Sequence, residues 1–126
     1  QRLDPDIIGD DPDLELGGAD CLRVTSGSYL VFARSDDPDT NGQLPAVDFV
    51  IGFSLVNSGG NVVVGLDGEV LDEVSYGSTS TGAATSLDPG HLDPEENDDP
   101  GNWCPAADTY GLGDLGTPGG PNPACP

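Results

Sequence analysis

The chain has 126 residues, of which 23 are acidic and three are basic, so its formal net charge at pH 7 is −20. Such a charge repels phosphate backbones and anionic lipid surfaces, which excludes nucleic-acid binding through a basic face. The chain has no lysine, because its basic residues are Arg2, Arg23 and Arg34, and this excludes Schiff-base chemistry and lysine cross-links. No apolar run approaches the length of a membrane-spanning helix, so we expect no membrane insertion.

The composition predicts a small folded domain rather than a disordered chain. The 19 glycines and 12 prolines leave no room for a long helix. Apolar residues concentrate in residues 22–76, whereas the acidic residues crowd into predicted loops. We predict one domain over residues 1–126, with an acidic N-terminal segment (residues 1–20) and a loop-rich C-terminal tail (residues 105–126).

Several short strands are predicted before the middle of the chain. Residues 7–8, 14–16 and 21–25 are candidates for brief strands, and Ser26-Gly27 is a predicted turn. The run from Tyr29 to Ala33 is rich in aromatic and β-branched residues, which indicates a strand inside a sheet. After a polar loop over residues 35–48, the apolar pattern resumes from Phe49 to Val56.

The clearest local prediction is a β-hairpin over residues 61–76. Asn61–Leu66 and Glu69–Tyr76 read as strands, and Asp67-Gly68 is a dipeptide favoured in two-residue hairpin turns. Alternation along the second strand predicts that one face carries Val70, Asp72, Val74 and Tyr76. Its charged residues, Glu69, Asp72 and Glu73, are expected at solvent-facing or rim positions.

Two more short strands are predicted beyond the hairpin, at residues 84–87 and 102–104. An acidic loop over residues 88–101 separates them. Short strands with turns every 8–12 residues are typical of an all-β sandwich.

Four segments, taken in order, resemble lamin-tail-like domains. They are residues 27–33 (Gly-Ser-Tyr-Leu-Val-Phe-Ala), residues 53–64, residues 67–77 and residues 116–122 (Gly-Thr-Pro-Gly-Gly-Pro-Asn). The ending around residues 103–104, 110–111 and 115–119 looks like that of the secreted bacterial type, as in myxobacterial-like surface proteins. This resemblance implies an all-β fold, an immunoglobulin-like β-sandwich.

The opening strands of that family have no recognisable counterpart in residues 1–20. The resemblance therefore implies a sandwich that lacks its first strands. Such a sheet edge exposes unpaired backbone groups, and these recruit another strand. We predict strand pairing with other protein chains, either by self-association or with a parent polypeptide.

One loop resembles the first half of a calcium-binding loop. Asp37, Asp39 and Asn41 alternate before Gly42, and Asp48 stands at the twelfth position. Oxygen ligands at this spacing suit Ca²⁺. A solvated acidic loop is the alternative, because Asp is shorter than the usual Glu and no helices flank the loop.

No catalytic motif is present. The chain lacks a G-x-S-x-G nucleophile elbow and a phosphate-binding loop after a strand, and its single histidine, His91, has no second histidine nearby. Four aromatic residues are interpreted as core or tail-packing residues rather than as a ligand platform: Tyr29, Tyr76, Trp103 and Tyr110. We expect no enzymatic activity and no required cofactor, with Ca²⁺ as the candidate ion.

Three cysteines, Cys21, Cys104 and Cys125, allow one disulfide and one remaining thiol. A Cys21–Cys104 bridge would close the long loop between two ordered segments, and we favour it slightly. A local Cys104–Cys125 bridge that pins the tail is the alternative.

These features predict a non-enzymatic extracellular structural or interaction module, secreted or held at the cell surface. It would serve as a subunit of a surface fibre that assembles through strand pairing. The alternatives are a calcium-dependent adhesion or ligand-binding module, and an accessory domain clipped from a larger secreted hydrolase.

Overall fold

A computed structural model describes residues 2–3, 14–15, 24–66 and 69–126 of the chain. These residues form an all-β fold of short strands with two single-turn 3-10 helices, Glu96–Asp98 and Pro100–Asn102. The strands, numbered in chain order, are β1 (Arg2–Leu3), β2 (Leu14–Glu15), β3 (Phe32–Ala33), β4 (Phe49–Val50), β5 (Gly60–Leu66), β6 (Glu69–Tyr76), β7 (Thr85–Leu87), β8 (Trp103–Pro105), β9 (Thr109–Tyr110) and β10 (Asp114–Leu115). Among the described residues, no helix is long and apolar enough to cross a membrane.

The largest sheet has four antiparallel strands in the order β2-β1-β5-β6. The predicted hairpin is confirmed: β5 pairs with β6 from Gly60 opposite Tyr76 to Leu66 opposite Glu69, with a bulge between Val64 and Gly65. The predicted turn at residues 67–68 lies outside the described residues. The sequence gives no indication of β1, which pairs with β5 through only two residues.

The predicted strand over Tyr29–Ala33 is wrong in its extent. Only Phe32–Ala33 forms a strand, and it pairs in parallel with β4. The reason is visible at Val31, whose N–H donates to the Asp48 carboxylate at 2.7 Å instead of to a neighbouring strand. The Val31 carbonyl in turn accepts from the N–H groups of Asp48 and Phe49. At Val31, the Asp48 side chain thus takes the place of the backbone hydrogen-bond partner that a neighbouring strand would supply.

The other predicted short strands agree with the structure in part. Residues 14–15 and 85–87 are strands as predicted, and the strand predicted over residues 102–104 is β8. In the apolar segment from Phe49 to Val56, only Phe49–Val50 forms a strand. Residues 24–25 are not in a strand, and the remaining candidates at residues 7–8 and 21–23 lie outside the described residues.

An irregular layer completes the fold beside the hairpin. β7 pairs with β8, and β9 pairs with β10. Residues 82–84 join these two pairs, because Leu115 donates to the Gly82 carbonyl while Ala84 donates to Leu115 and accepts from Ala106.

The hydrophobic core is small. Among the described residues, those classed as buried and hydrophobic are Val31, Ala33, Ile51, Val63 and Ala106, and no large side chain is completely buried. The sheets are likewise small. The described residues therefore establish an all-β fold, while the immunoglobulin-like sandwich stays a prediction.

Candidate functional site

A cleft of about 750 Å³ lies between the β5–β6 hairpin and the irregular layer. Val62 and Val64 of β5 line one wall together with the inward face of β6. Leu55 and Val56, which also line the cleft, are 54% and 60% exposed. A cleft of this size, mostly apolar with a few polar groups, has the general character of a binding site.

The hairpin wall follows from the alternation of β6. Every second residue of this strand is half-buried, whereas the residues between them are exposed. Val74 lies opposite Val62, and Asp72 lies opposite Val64, so the half-buried face of β6 continues the valines of β5. The predicted common face of Val70, Asp72, Val74 and Tyr76 is confirmed.

The opposite wall carries aromatic side chains. Trp103 of β8 and Tyr110 of β9 both line the cleft and are half-buried. The Trp103 indole N–H donates to the Asn97 carbonyl at 2.7 Å, and the Tyr76 hydroxyl donates to the Val56 carbonyl at 2.9 Å. Of the four aromatic residues singled out in the sequence, these three border the cleft, while Tyr29 is exposed.

The position of Asp72 differs from the one that its charge predicts. Its charge predicts a solvent-facing or rim position, but it lies on the half-buried face of β6 and lines the cleft. The pattern overrides the charge here, because a change of face would also turn the flanking valines out to water. A hydrogen bond compensates the carboxylate, which accepts from Asn97 Nδ2 at 2.7 Å.

Asn97 brings an unsatisfied polar atom to the wall of the cleft. Its side chain is buried, and its Oδ1 atom has no hydrogen-bond partner among the described residues. The amide orientation is fixed by Asp72, since a flipped amide would set two oxygen acceptors against each other. An unpaired buried acceptor of this kind costs about 1–3 kcal/mol.

A second carboxylate, on Asp114 of β10, also lines the cleft. Burial raises the pKa of the Tyr110 hydroxyl, and the negative charge of Asp114 raises that pKa further. No basic side chain among the described residues lines the cleft. The cleft therefore presents two carboxylates and an apolar, partly aromatic surface, with the buried Asn97 amide beside Asp72.

The oxygens of the candidate calcium loop serve the loop's own backbone. Asp37 Oδ1 accepts from the N–H of Asp39, and Asn41 Oδ1 accepts from the N–H of Leu44. The Asp48 carboxylate accepts a hydrogen bond from the Val31 N–H. The described part of the chain contains no group of three or more His, Cys, Asp or Glu side chains that would hold a metal ion. Calcium binding at Asp37, Asp39, Asn41 and Asp48 stays a prediction.

The acidic loop after β7 is also organised by its own carboxylates. Asp93 accepts from the N–H of Glu95 and Asp99 from the N–H of Gly101, each at 2.8 Å. His91 pairs with Glu96 at 3.3 Å in a position where both side chains are well exposed.

The disulfide joins Cys104 to Cys125, so the slight preference for Cys21–Cys104 is wrong. Cys21 itself lies outside the described residues. The tail reaches Cys104 because other bonds hold it there: Asn122 Nδ2 donates to the Leu87 carbonyl at 2.9 Å, and the Cys125 N–H donates to Asp88 Oδ2 at 2.8 Å. Asp88 also accepts from Gly90, and these two backbone bonds lower the pKa of its carboxyl.

Comparison of the chain with protein-family models, with curated proteins and with solved structures finds no match. The resemblance to lamin-tail-like domains therefore stays a hypothesis.

The sequence held one signal for the cleft. An aspartate on an otherwise apolar strand face indicates either a functional group or a compensated charge, and Asp72 was visible in that position. Asn97 gave no such signal, because it stands among acidic loop residues and reaches Asp72 across 25 positions of sequence.

Proposed function

We propose that the chain is a non-enzymatic extracellular structural or interaction module that joins other protein chains by strand pairing. The observation that carries the proposal is β6, an eight-residue strand whose one strand partner among the described residues is β5. A strand with a free edge offers a row of N–H and C=O groups for a further strand.

Two other features support an extracellular setting. A Cys104–Cys125 disulfide is compatible with an oxidising compartment. The small core also agrees with a module that gains stability from a cross-link and from a neighbour.

Charge sets the conditions under which copies would pair. The outward face of β6 carries Glu69, Leu71 and Glu73, and Leu71 is 54% exposed. Two copies that carry −20 each repel one another at low ionic strength. Salt screens this repulsion, so strand pairing between copies should strengthen as salt is added.

Sedimentation velocity over a range of protein and salt concentrations tests the proposal. We expect the average mass to rise with both, and we expect the β6 amides to gain protection from hydrogen exchange in the assembled state. Leu71→Glu should weaken assembly by adding a third negative charge to this face. The matched control is Leu112→Glu, which makes the same change at a 75% exposed site in the turn between β9 and β10.

A monomer at every salt and protein concentration would contradict self-association. Equal effects of the two glutamate substitutions would contradict a role for β6.

A further inference from the structure

We infer that the cleft binds a basic, otherwise apolar peptide segment of a partner protein, whose lysine or arginine side chain pairs with Asp72. This is a site on the inner face of the hairpin, separate from the edge of β6 that has no strand partner among the described residues and on which the proposed function rests.

The apolar surface of the cleft calls for an apolar body in the occupant. Val62, Val64 and Val74 form a continuous patch on the hairpin wall, and Trp103 and Tyr110 stand on the other side. The polar atoms of Trp103 and Tyr76 are already bonded to backbone carbonyls, so these rings offer mainly their apolar surface. Aliphatic side chains and cations both bind favourably against such rings.

The charges of the cleft select a cation. Asp72 and Asp114 are both carboxylates, and among the described residues no arginine or histidine lines the cleft beside them. A neutral ligand such as a saccharide would leave both charges without a counter-charge, whereas a lysine or arginine side chain supplies one. The whole chain adds a field of the same sign, with a net charge of −20.

Asn97 gives an independent indication of a missing donor. Asn97 lines the cleft, and its Oδ1 atom is buried with no hydrogen-bond partner among the described residues, beside the Nδ2 atom that bonds to Asp72. An ammonium group carries three N–H donors and a guanidinium five, and neither accepts hydrogen bonds. Either group can pair with the Asp72 carboxylate, and a shift of the Asn97 side chain that uncovers Oδ1 would let the same group donate to that atom.

Charge also argues against a second copy of the chain as the occupant of the cleft. The chain has no lysine and only three arginines against 23 acidic residues, so a copy approaches with the wrong sign of charge. The occupant is therefore a segment of a different, basic protein.

Tryptophan fluorescence provides a direct readout, because Trp103 is the one tryptophan of the chain and lies at the cleft. The probe is a blocked peptide that alternates valine and lysine, and its matched partner carries norleucine in place of lysine. We expect the lysine peptide to shift the Trp103 emission and to bind at least about tenfold more tightly than the norleucine peptide. Binding of the lysine peptide should weaken as salt is added.

Variants locate the interaction. Asp72→Asn should lower the affinity for the lysine peptide about tenfold and leave the norleucine peptide unaffected. The matched control is Glu73→Gln, which removes the same charge one residue away on the outward face of β6. Asp114→Asn is the second cleft variant, and it serves if Asp72→Asn does not fold.

Three results would overturn the inference: equal affinities for the two peptides, equal effects of Asp72→Asn and Glu73→Gln, or tighter binding of a neutral saccharide such as maltoheptaose. The opposite salt dependence keeps this test distinct from strand pairing between copies, which strengthens with salt. Either proposal can therefore fail without the other.

Discussion

The carboxylate of Asp72 lies on a strand face that it shares with two valines and a tyrosine. This position follows from the two-residue period of a strand, because alternation places every second side chain on the same side. Asp88 is likewise half-buried, and its carboxylate binds backbone N–H groups. It accepts from the N–H groups of Gly90 and Cys125, each at 2.8 Å, and so holds the tail to the end of β7.

The lowered pKa of Asp88 predicts a loss of tail contacts in acid. A carboxyl whose pKa is lower in the folded state contributes stability above its ordinary pKa of 3.8, and this contribution disappears as the pH falls through the folded-state value. We expect protection of the Cys125 amide from hydrogen exchange to be constant near neutral pH and to decrease below about pH 4. Asp88→Asn should remove most of this pH dependence. The matched variant Asp108→Asn, at an exposed site, should leave it intact.

Gly111 predicts a strong local effect of adding one methyl group. Its φ is +53°, and a Cβ atom there would lie 2.1 Å from the Gly42 carbonyl oxygen. Gly111→Ala should therefore lower the free energy of unfolding in urea by about 2–4 kcal/mol. Gly27→Ala separates the two causes, because Gly27 has a φ of +79° but a Cβ atom there would meet no non-neighbouring atom within 4 Å. A similar loss in both variants would show that the Gly42 contact is unimportant.

At the scale of elements, local order and long-range order differ in how well the sequence predicts them. The hairpin was predictable because alternation, strand propensity and the Asp67-Gly68 dipeptide all act within 16 residues, 61–76. The Tyr29–Ala33 strand was overestimated because its Val31 N–H is taken by Asp48, which stands 17 positions away. Apart from the position of Asp72 on an apolar strand face, the cleft was not predictable, since its walls come from segments spread between Leu55 and Leu115.

The disulfide predicts a measurable contribution of the tail to stability. Cys104 and Cys125 are separated by 21 positions, and closing a loop of that size stabilises a fold by about 3 kcal/mol. Replacing both cysteines by serine should lower the free energy of unfolding by about this amount in a urea titration. Cys21→Ser is the matched control and should leave the Cys104–Cys125 peptide pair intact in a non-reducing digest. Recovery of a Cys21–Cys104 peptide pair from the unmodified chain would contradict the structure.

The whole molecule combines a small core with a large negative charge. Most acidic residues in the described part of the chain lie in loops, where carboxylates such as those of Asp93 and Asp99 cap turns. Repulsion among these charges favours expansion of the chain, and the small core gives limited resistance to it. Ions should therefore affect this fold more strongly than they affect a neutral domain.

Salt should raise the melting temperature. Increasing sodium chloride from about 0.01 M to about 1 M shortens the screening length from about 30 Å to about 3 Å, which relieves the repulsion between loops. Calorimetry in calcium chloride and in magnesium chloride of equal ionic strength tests the calcium prediction in the same experiment. Screening alone predicts equal shifts, whereas a site at Asp37, Asp39, Asn41 and Asp48 predicts a larger shift with calcium. No rise in any salt would contradict the importance of charge repulsion.

The Cys104–Cys125 bond also determines how the molecule would respond to mechanical tension. A chain pulled from its two ends transmits force through the bond and bypasses the intervening residues 105–124, which include β9 and β10. These strands, and the cleft wall formed by Tyr110 and Asp114, would stay folded locally while the hairpin is pulled apart. In a single-molecule force experiment, adding a reductant should release roughly 70 Å of hidden length. A fibre built from such modules would thus keep one wall of each cleft under load.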